Sequence, residues 1–384
     1  MEPLLHLHLN MSLPFLRSAV VQLAAYTPHV ASAADPTPAV LDILDTNECP
    51  YDLPNALKEK LAWQLHHDIA ANRYPDGGHG ALQAAIAQYV TESAPGSAFG
   101  AEHISVGNGS DELIRSLLIA TCVGGDGSIL VANPTFSMYG ILARTLGIPV
   151  VAVGRSDETF AINVDAAQRA IEQPEAAPVR VVFMVHPNSP TGNALTAAEL
   201  AWLEQLPPEI LVVVDEAYFE FSQQTTVAAV LSRPNWVVMR TFSKAFRLAA
   251  YRVGYAVANP ALIQALEKVR LPYNLPSLTQ AAAQLALAHR HELLAVIPEM
   301  QQQRQVLAAA IAQQTRLSLW PSAANFLYGR PPSQPGQPLE TELKRWFHQL
   351  RTQGTLIRHT GGGLRITVGT PVENARTLTH LKQL

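Results

Sequence analysis

Lys244, in TFSKAFRLAAYR (241–252), closely follows the apolar run WVVMR. An ammonium carried to the carboxyl end of a buried strand is costly, so its pKa should fall and its amine should become a nucleophile able to form an imine. A lone Ser-Lys pair more often marks a lysine at a helix start reaching for solvent, and only the company this lysine keeps argues otherwise. In VVVDEAYFEF, Asp215 ends another strongly apolar run. A buried carboxylate there calls for a cationic partner, because an uncompensated charge is expensive in a low-dielectric interior. A protonated pyridine nitrogen would supply one, and the carboxylate would in return keep that ring an electron sink. Read alone, Asp-Glu after a strand favours a metal ligand or a helix cap. Tyr218, three residues on, could donate to a ring phenolate oxygen. HPNSPTGN (186–193) follows VVFMV and brackets Asn188 between prolines, which stiffens the turn and presents the amide in a fixed direction. VGNGSDELI (106–114) ends a strand in glycines and opens a helix capped by Ser110 or Asp111. Bare amides at such a start can hold a phosphate, although many nucleotide sites share this pattern. Ser243 and Arg252, flanking Lys244, could complete the anion pocket with a hydroxyl and a fork-shaped donor.

The elements that must position these residues can be read from the apolar pattern. From Ile104 to Tyr255 the runs HISVG, SILVAN, VRVVFMV, ILVVVDE and WVVMR alternate with amphipathic stretches such as 110–123 and 196–205. Strands apolar on both faces and separated by helices predict an α/β fold with a mainly parallel sheet between helix layers. Ligands of such sheets collect at the carboxyl ends of the strands, where the four motifs fall. After Pro260 the sequence turns to long Ala, Gln and Leu helices (278–314), then to short strands around Leu317, Phe326, Leu356 and Leu364, a smaller α+β lobe. The expected division is an N-terminal arm over 1–45 lying with the small lobe, a large lobe over 46–265 and a small lobe over 266–384. PPSQPGQP at 331–338 reads as an exposed loop.

With 384 residues, 48% of them hydrophobic and 15% charged, the chain should form an ample core in two packed lobes. A formal net charge of −4 gives no general attraction to nucleic acid or to an anionic membrane, so any anion must be met locally. Cys49 and Cys122 have no metal-ligand spacing and fit a reducing compartment as structural residues. The N-terminus lacks the form of a secretory signal, Met11 is a second candidate start, and no apolar run is long enough to span a bilayer. A cytoplasmic protein without a bound metal is expected.

The motifs YTP, LDTNECPYDLP, NRYPDG, VGNGSDELI, NPTFSMY, HPNSPTGN, VVVDEAY, TFSKAFRLAAYRVGY, VRLPYN, PSAANFL and LRITVGT occur in an order that resembles the histidinol-phosphate aminotransferases, from about Tyr26 to the end. The core motifs are common to class I and II aminotransferases, whereas NRYPDG and NECPYDLP look like the histidinol-phosphate branch. The resemblance implies an aspartate-aminotransferase-like fold and pyridoxal 5′-phosphate as cofactor. Lys244 is then similar to the lysine that carries the cofactor and shuttles the proton, Asp215 to the partner of the pyridine nitrogen, and Asn188 and Tyr218 to the pair on the phenolate oxygen. Phe136 falls where an aromatic ring stacks on the cofactor, many members having tyrosine there. Gly109, Ser110, Asp111, Ser243 and Arg252 match the phosphate cup. Tyr74 resembles a tyrosine that reaches the neighbouring subunit's cofactor, which implies a homodimer with shared sites. Arg365 matches the residue that takes the carboxylate of glutamate or 2-oxoglutarate, Arg358 and Tyr26 sit where the family handles the phosphate of histidinol phosphate, and Asn325 is expected to orient the arginines. Two departures stand out. Ala250 replaces a glycine in LAAYR, which predicts a tighter fit beside the lysine, and HVASAADPTP follows YTP where a glycine is usual. Other readings are an aminotransferase for aromatic or other amino acids, a decarboxylase of a phosphorylated amino acid, or a non-catalytic relative. The last should lack the lysine or the aspartate, and both are present.

Overall fold

The structure is a computed structural model and describes residues 13, 15–23, 40–332 and 336–384. Seven strands form the central sheet in the order Ile104–Asn108, Val253–Ala258, Trp236–Thr241, Leu211–Asp215, Val179–Val185, Ser128–Asn133, Val150–Gly154. Alternate residues of each inner strand feed two separate cores, as the two-residue side-chain period requires. Val182, Met184, Val212, Val214 and Val238 pack on one face. Val181, Phe183, Leu211, Val213 and Met239 pack on the other. Burial on both faces is why these runs are apolar without alternation.

Only Val253–Ala258 runs against its neighbours, pairing antiparallel with both Trp236–Thr241 and Ile104–Asn108. The remaining strands therefore end on one edge, and the odd strand starts there. Its reversal delivers Arg252 to the same edge as the residues that follow the parallel strands. The helix Gly109–Thr121 starts at this edge too, directly after Ile104–Asn108, and buries Leu113, Ile114, Leu117 and Leu118 against the sheet.

The small lobe is a four-stranded antiparallel sheet, Arg358–Thr360, Gly363–Thr367, Phe326–Arg330 and Ser318–Trp320, covered by helices that bury Leu307, Ile311, Leu343, Trp346, Leu350 and Leu381. Asp42–Ile43 pairs in parallel with Thr355–Leu356, and Arg376 Nε donates to Asp42 Oδ2 at 2.9 Å, so this early segment is built into the small lobe. Large-lobe packing runs beyond the boundary expected at 265, because Ala282, Ala283, Ala286 and Leu287 of the helix Ser277–Ala288 lie in the first core cluster. The long helical stretch expected over 278–314 is broken into Ser277–Ala288, Arg290–Leu294 and Ile297–Gln314.

Candidate active site

One cavity at the strand-end edge is lined by Ser110, Asp111, Phe136, Ser189, Asp215, Tyr218, Ser243, Lys244, Arg252, Arg358 and Arg365, together with the segment Asp45–Asn47. Most of the candidates named from the sequence thus meet in one place, drawn from both lobes. Lys244 Nζ donates to the Thr46 carbonyl at 2.6 Å. Burial, then the nearby charge of Arg365, pulls its pKa from 10.5 down to about 8, which makes the free amine accessible near neutrality.

Asp215 is 4% exposed, and burial lifts its carboxyl to about 6. Two donors partly offset that lift. Tyr139 Oη donates to Oδ2 at 2.6 Å and the Ala217 amide donates to Oδ1 at 3.1 Å. Tyr139 was missed from the sequence, although its place three residues beyond Phe136, in the same NPTFSMY motif, was a signal that could have found it. Its ring stacks on Phe183 with centroids 4.5 Å apart and meets Phe136 edge-on at 5.5 Å.

At the helix start, Gly109 has φ +73°, and a Cβ there would stand 2.5 Å from Arg252 Nη2. Gly254 faces the same turn, where a Cβ would stand 2.8 Å from the Ser110 nitrogen. The two glycines let the guanidinium and the neighbouring strand close on the first-turn amides, which an α-helix leaves without intrahelical partners. Arg252 itself adopts φ +54°, a left-handed conformation that costs a non-glycine residue of order 1 kcal/mol and is held by the fold around it. Its Nη1 lies 3.4 Å from Ser243 Oγ and its Nη2 3.5 Å from Asp111 Oδ2.

At the small-lobe wall, Arg358 and Arg365 stand directly opposite each other in the antiparallel register. Both side chains line the cavity. Arg365 Nη1 donates to Ser189 Oγ at 3.1 Å, Nη2 donates to the Asp45 carbonyl at 2.5 Å, and its guanidinium lies 5.5 Å from the Phe326 ring centroid.

Several expected residues lie elsewhere. Asn188 does not line the cavity: its Nδ2 donates to the Pro134 carbonyl and Thr191 Oγ1, while its Oδ1 accepts from Thr135 Oγ1 and Arg155 Nη2. Every hydrogen-bonding capacity of that amide is committed to the turn, and the next residue, Ser189, faces the cavity instead. Asn325 is 2% exposed and sits behind the wall, donating to the Asn47 carbonyl at 3.0 Å. Tyr74 is 80% exposed, stacks on Tyr273 at 4.6 Å and is absent from the lining of its own chain's cavity. Tyr26 lies outside the described residues. Ala250 is exposed, so the tighter fit expected beside the lysine does not arise. Among the described residues there is no cluster of His, Cys, Asp or Glu suited to a metal ion, and no helix long and apolar enough to cross a membrane.

A buried amine and a buried carboxylate beside an anion cup and an arginine pair are the equipment of amino-group transfer, and the chain belongs to the family described as aminotransferase class I and II, matched over residues 43–381. Within that family it is similar to histidinol-phosphate aminotransferase 2 of Nostoc sp., 60% identical over 373 residues that cover 96% of this chain and 97% of the relative. It is likewise similar to histidinol-phosphate aminotransferase of Trichodesmium erythraeum, 57% identical over 96% of this chain and 98% of that protein. The crystal structure of histidinol-phosphate aminotransferase from Sinorhizobium meliloti in complex with pyridoxal-5′-phosphate superposes with a TM-score of 0.78 at 22% identity, covering 90% of this chain and 91% of that one. That likeness establishes the fold, a mainly parallel α/β large domain of the aminotransferase type.

Proposed function

We propose that the protein is a histidinol-phosphate aminotransferase that works with pyridoxal 5′-phosphate, moving an amino group between glutamate and imidazole acetol phosphate to give 2-oxoglutarate and L-histidinol phosphate in histidine biosynthesis. The reading is carried by the meeting, on one cavity, of Lys244, Asp215 and the three arginines at 252, 358 and 365. The donor set suits that cofactor: a carboxylate raised to about 6 whose hydrogen-bond donors are the neutral Tyr139 hydroxyl and Ala217 amide, an amine lowered to about 8, and a helix start that Gly109 and Gly254 leave free for Arg252 to approach. When bound, pyridoxal phosphate supplies an aldehyde that captures the amino group and a pyridine ring that draws off the electron pair left when the substrate carbon loses its proton.

The chain's own residues do the rest. Lys244 Nζ takes the proton from the substrate carbon and returns it, a role worth about 10²–10⁴-fold. Asp215, ionised above about pH 6, would hold a proton on the ring nitrogen of the bound cofactor. The first-turn amides at Ser110 and Asp111 would hold the phosphate with Ser243 and Arg252, Phe136 would cover a ring face, and Tyr218, with Asn188 in the turn beside it, would serve the phenolate oxygen. Arg365 takes the carboxylate of the amino-acid partner and Arg358 the phosphate of the other substrate, the two ligands alternating in one site with ping-pong kinetics. The outward position of Tyr74 supports a homodimer in which it serves the partner's site, and a cytoplasmic enzyme is in keeping with that assignment.

The deciding assay mixes purified protein, pyridoxal phosphate and glutamate with a panel of keto acceptors, with and without a phosphate. Imidazole acetol phosphate should be the strongly preferred acceptor. Turnover of phenylpyruvate with none of imidazole acetol phosphate would overturn the assignment.

A further inference from the structure

Asn47 lies at the joint between the lobes, 1% exposed and in a left-handed conformation with φ +57° that asparagine tolerates better than most side chains. Its Nδ2 donates to Tyr218 Oη at 2.9 Å. The other end of the amide is fixed by Thr367, whose Oγ1 accepts from the Asn47 backbone amide at 3.1 Å and donates to Asn47 Oδ1 at 3.1 Å. The backbone carbonyl of Asn47 accepts from Asn325 Nδ2 at 3.0 Å. Side chain and main chain are thus clamped by two small-lobe residues, leaving the amide's nitrogen turned toward Tyr218.

An amide nitrogen only donates, whereas a tyrosine hydroxyl carries one proton and can accept at the same oxygen. Because Tyr218 Oη accepts from Asn47, its own proton cannot point back at that side chain. The cavity is where the ring's oxygen is exposed to a ligand, since Tyr218 is otherwise packed edge-on against Phe326 with centroids 5.2 Å apart. We infer that Asn47 is a positioning residue that fixes the direction of the Tyr218 hydroxyl proton, so that the hydroxyl meets the bound cofactor as a donor. The inference rests on the pyridoxal phosphate reading of the site. It also explains why the segment Asp45–Asn47 belongs to the site at all: the small lobe, through Thr367 and Asn325, sets the polarity of a large-lobe tyrosine.

Two variants separate this role from packing. Asn47→Asp keeps the size but replaces the donor by an acceptor that draws the Tyr218 proton away from the cavity. Asn47→Gly keeps the left-handed backbone and its two main-chain hydrogen bonds while deleting the donor. The readout is the pH midpoint of the visible band of the pyridoxal-phosphate-loaded full-length protein, measured in the wild type, in each variant, and in each variant combined with Tyr218→Phe. A donor on the phenolate oxygen lowers that group's basicity, so the midpoint should rise by about one pH unit in both single variants, more in Asn47→Asp. In the Tyr218→Phe background neither change should move it further. A midpoint unmoved by Asn47→Asp, or a shift that persists at full size without the Tyr218 hydroxyl, overturns the inference while leaving the cofactor reading intact. A wild-type protein that develops no visible band with pyridoxal phosphate overturns both.

Discussion

Asp215 and Tyr139 form the contact on which the site's electrostatics turn most directly. A carboxylate buried to 4% exposure is stabilised as an anion only by the donors it faces, and the Tyr139 hydroxyl at 2.6 Å is the side chain that does most to hold its pKa down. Tyr139→Phe removes one oxygen and leaves the ring stacked on Phe183. Asp215 should then titrate above about 6, and less of it will be ionised at neutral pH. A hydrogen bond to a charged group contributes about 1.5–3 kcal/mol, so the dissociation constant for pyridoxal phosphate should rise about tenfold or more. The acid limb of the rate profile should move to higher pH as well. Unchanged affinity and an unmoved acid limb would show that the hydroxyl has no hold on Asp215. The contrast with Asn188 is instructive at the same scale. The amide of that turn spends its capacity on Pro134, Thr191, Thr135 and Arg155, and the side chain one residue later lines the cavity.

The glycines at the helix start act through the elements they allow to approach. A methyl added at Gly254 would stand 2.8 Å from the Ser110 nitrogen and 3.0 Å from the Gly109 carbonyl carbon, both main-chain atoms that no rotamer change can move aside. Gly254→Ala should therefore push the helix Gly109–Thr121 off the strand Val253–Ala258, with an overpacking cost of about 1–3 kcal/mol. Thermal denaturation would register a lower Tm, and cofactor titration a weaker affinity. A normal Tm with normal affinity would mean that the cup does not depend on this approach. Elements of this kind were legible in the sequence as far as burial patterns reach. Strands apolar on both faces read as strands because each faces two cores, and the motifs after them fall at one edge because parallel strands end together. What lay beyond reach were contacts set by distant pairing. Asn47 meets Tyr218 across 171 residues and Thr367 across 320, and no local periodicity reports such a meeting. The antiparallel strand that brings in Arg252 was invisible too, since direction leaves no mark on an apolar run.

Lys244 and Asp215 also leave a signature in the stability of the whole molecule, with opposite signs on either side of neutrality. For Asp215 the folded value of about 6 stands above the ordinary 3.8, so between those pH values the folded chain holds the extra proton and stability falls as pH rises. For Lys244 the folded value of about 8 stands below 10.5, so in that window the unfolded chain holds the extra proton and stability rises with pH. From these two groups alone the cofactor-free chain is least stable between about pH 6 and about pH 8, where both are charged in the cavity with only neutral hydrogen-bond partners. A ligand that meets the carboxylate with a cation and binds the lysine nitrogen removes both costs at once. Addition of pyridoxal phosphate should therefore raise Tm most in that interval and less toward either extreme, as followed by calorimetry from about pH 4 to about pH 10. Lys244→Met should flatten the alkaline rise of the cofactor-free chain, and Asp215→Asn its acid fall, each leaving the other limb in place. A stabilisation equal at all pH values, or limbs that neither substitution alters, would detach these two side chains from the ligand and from each other.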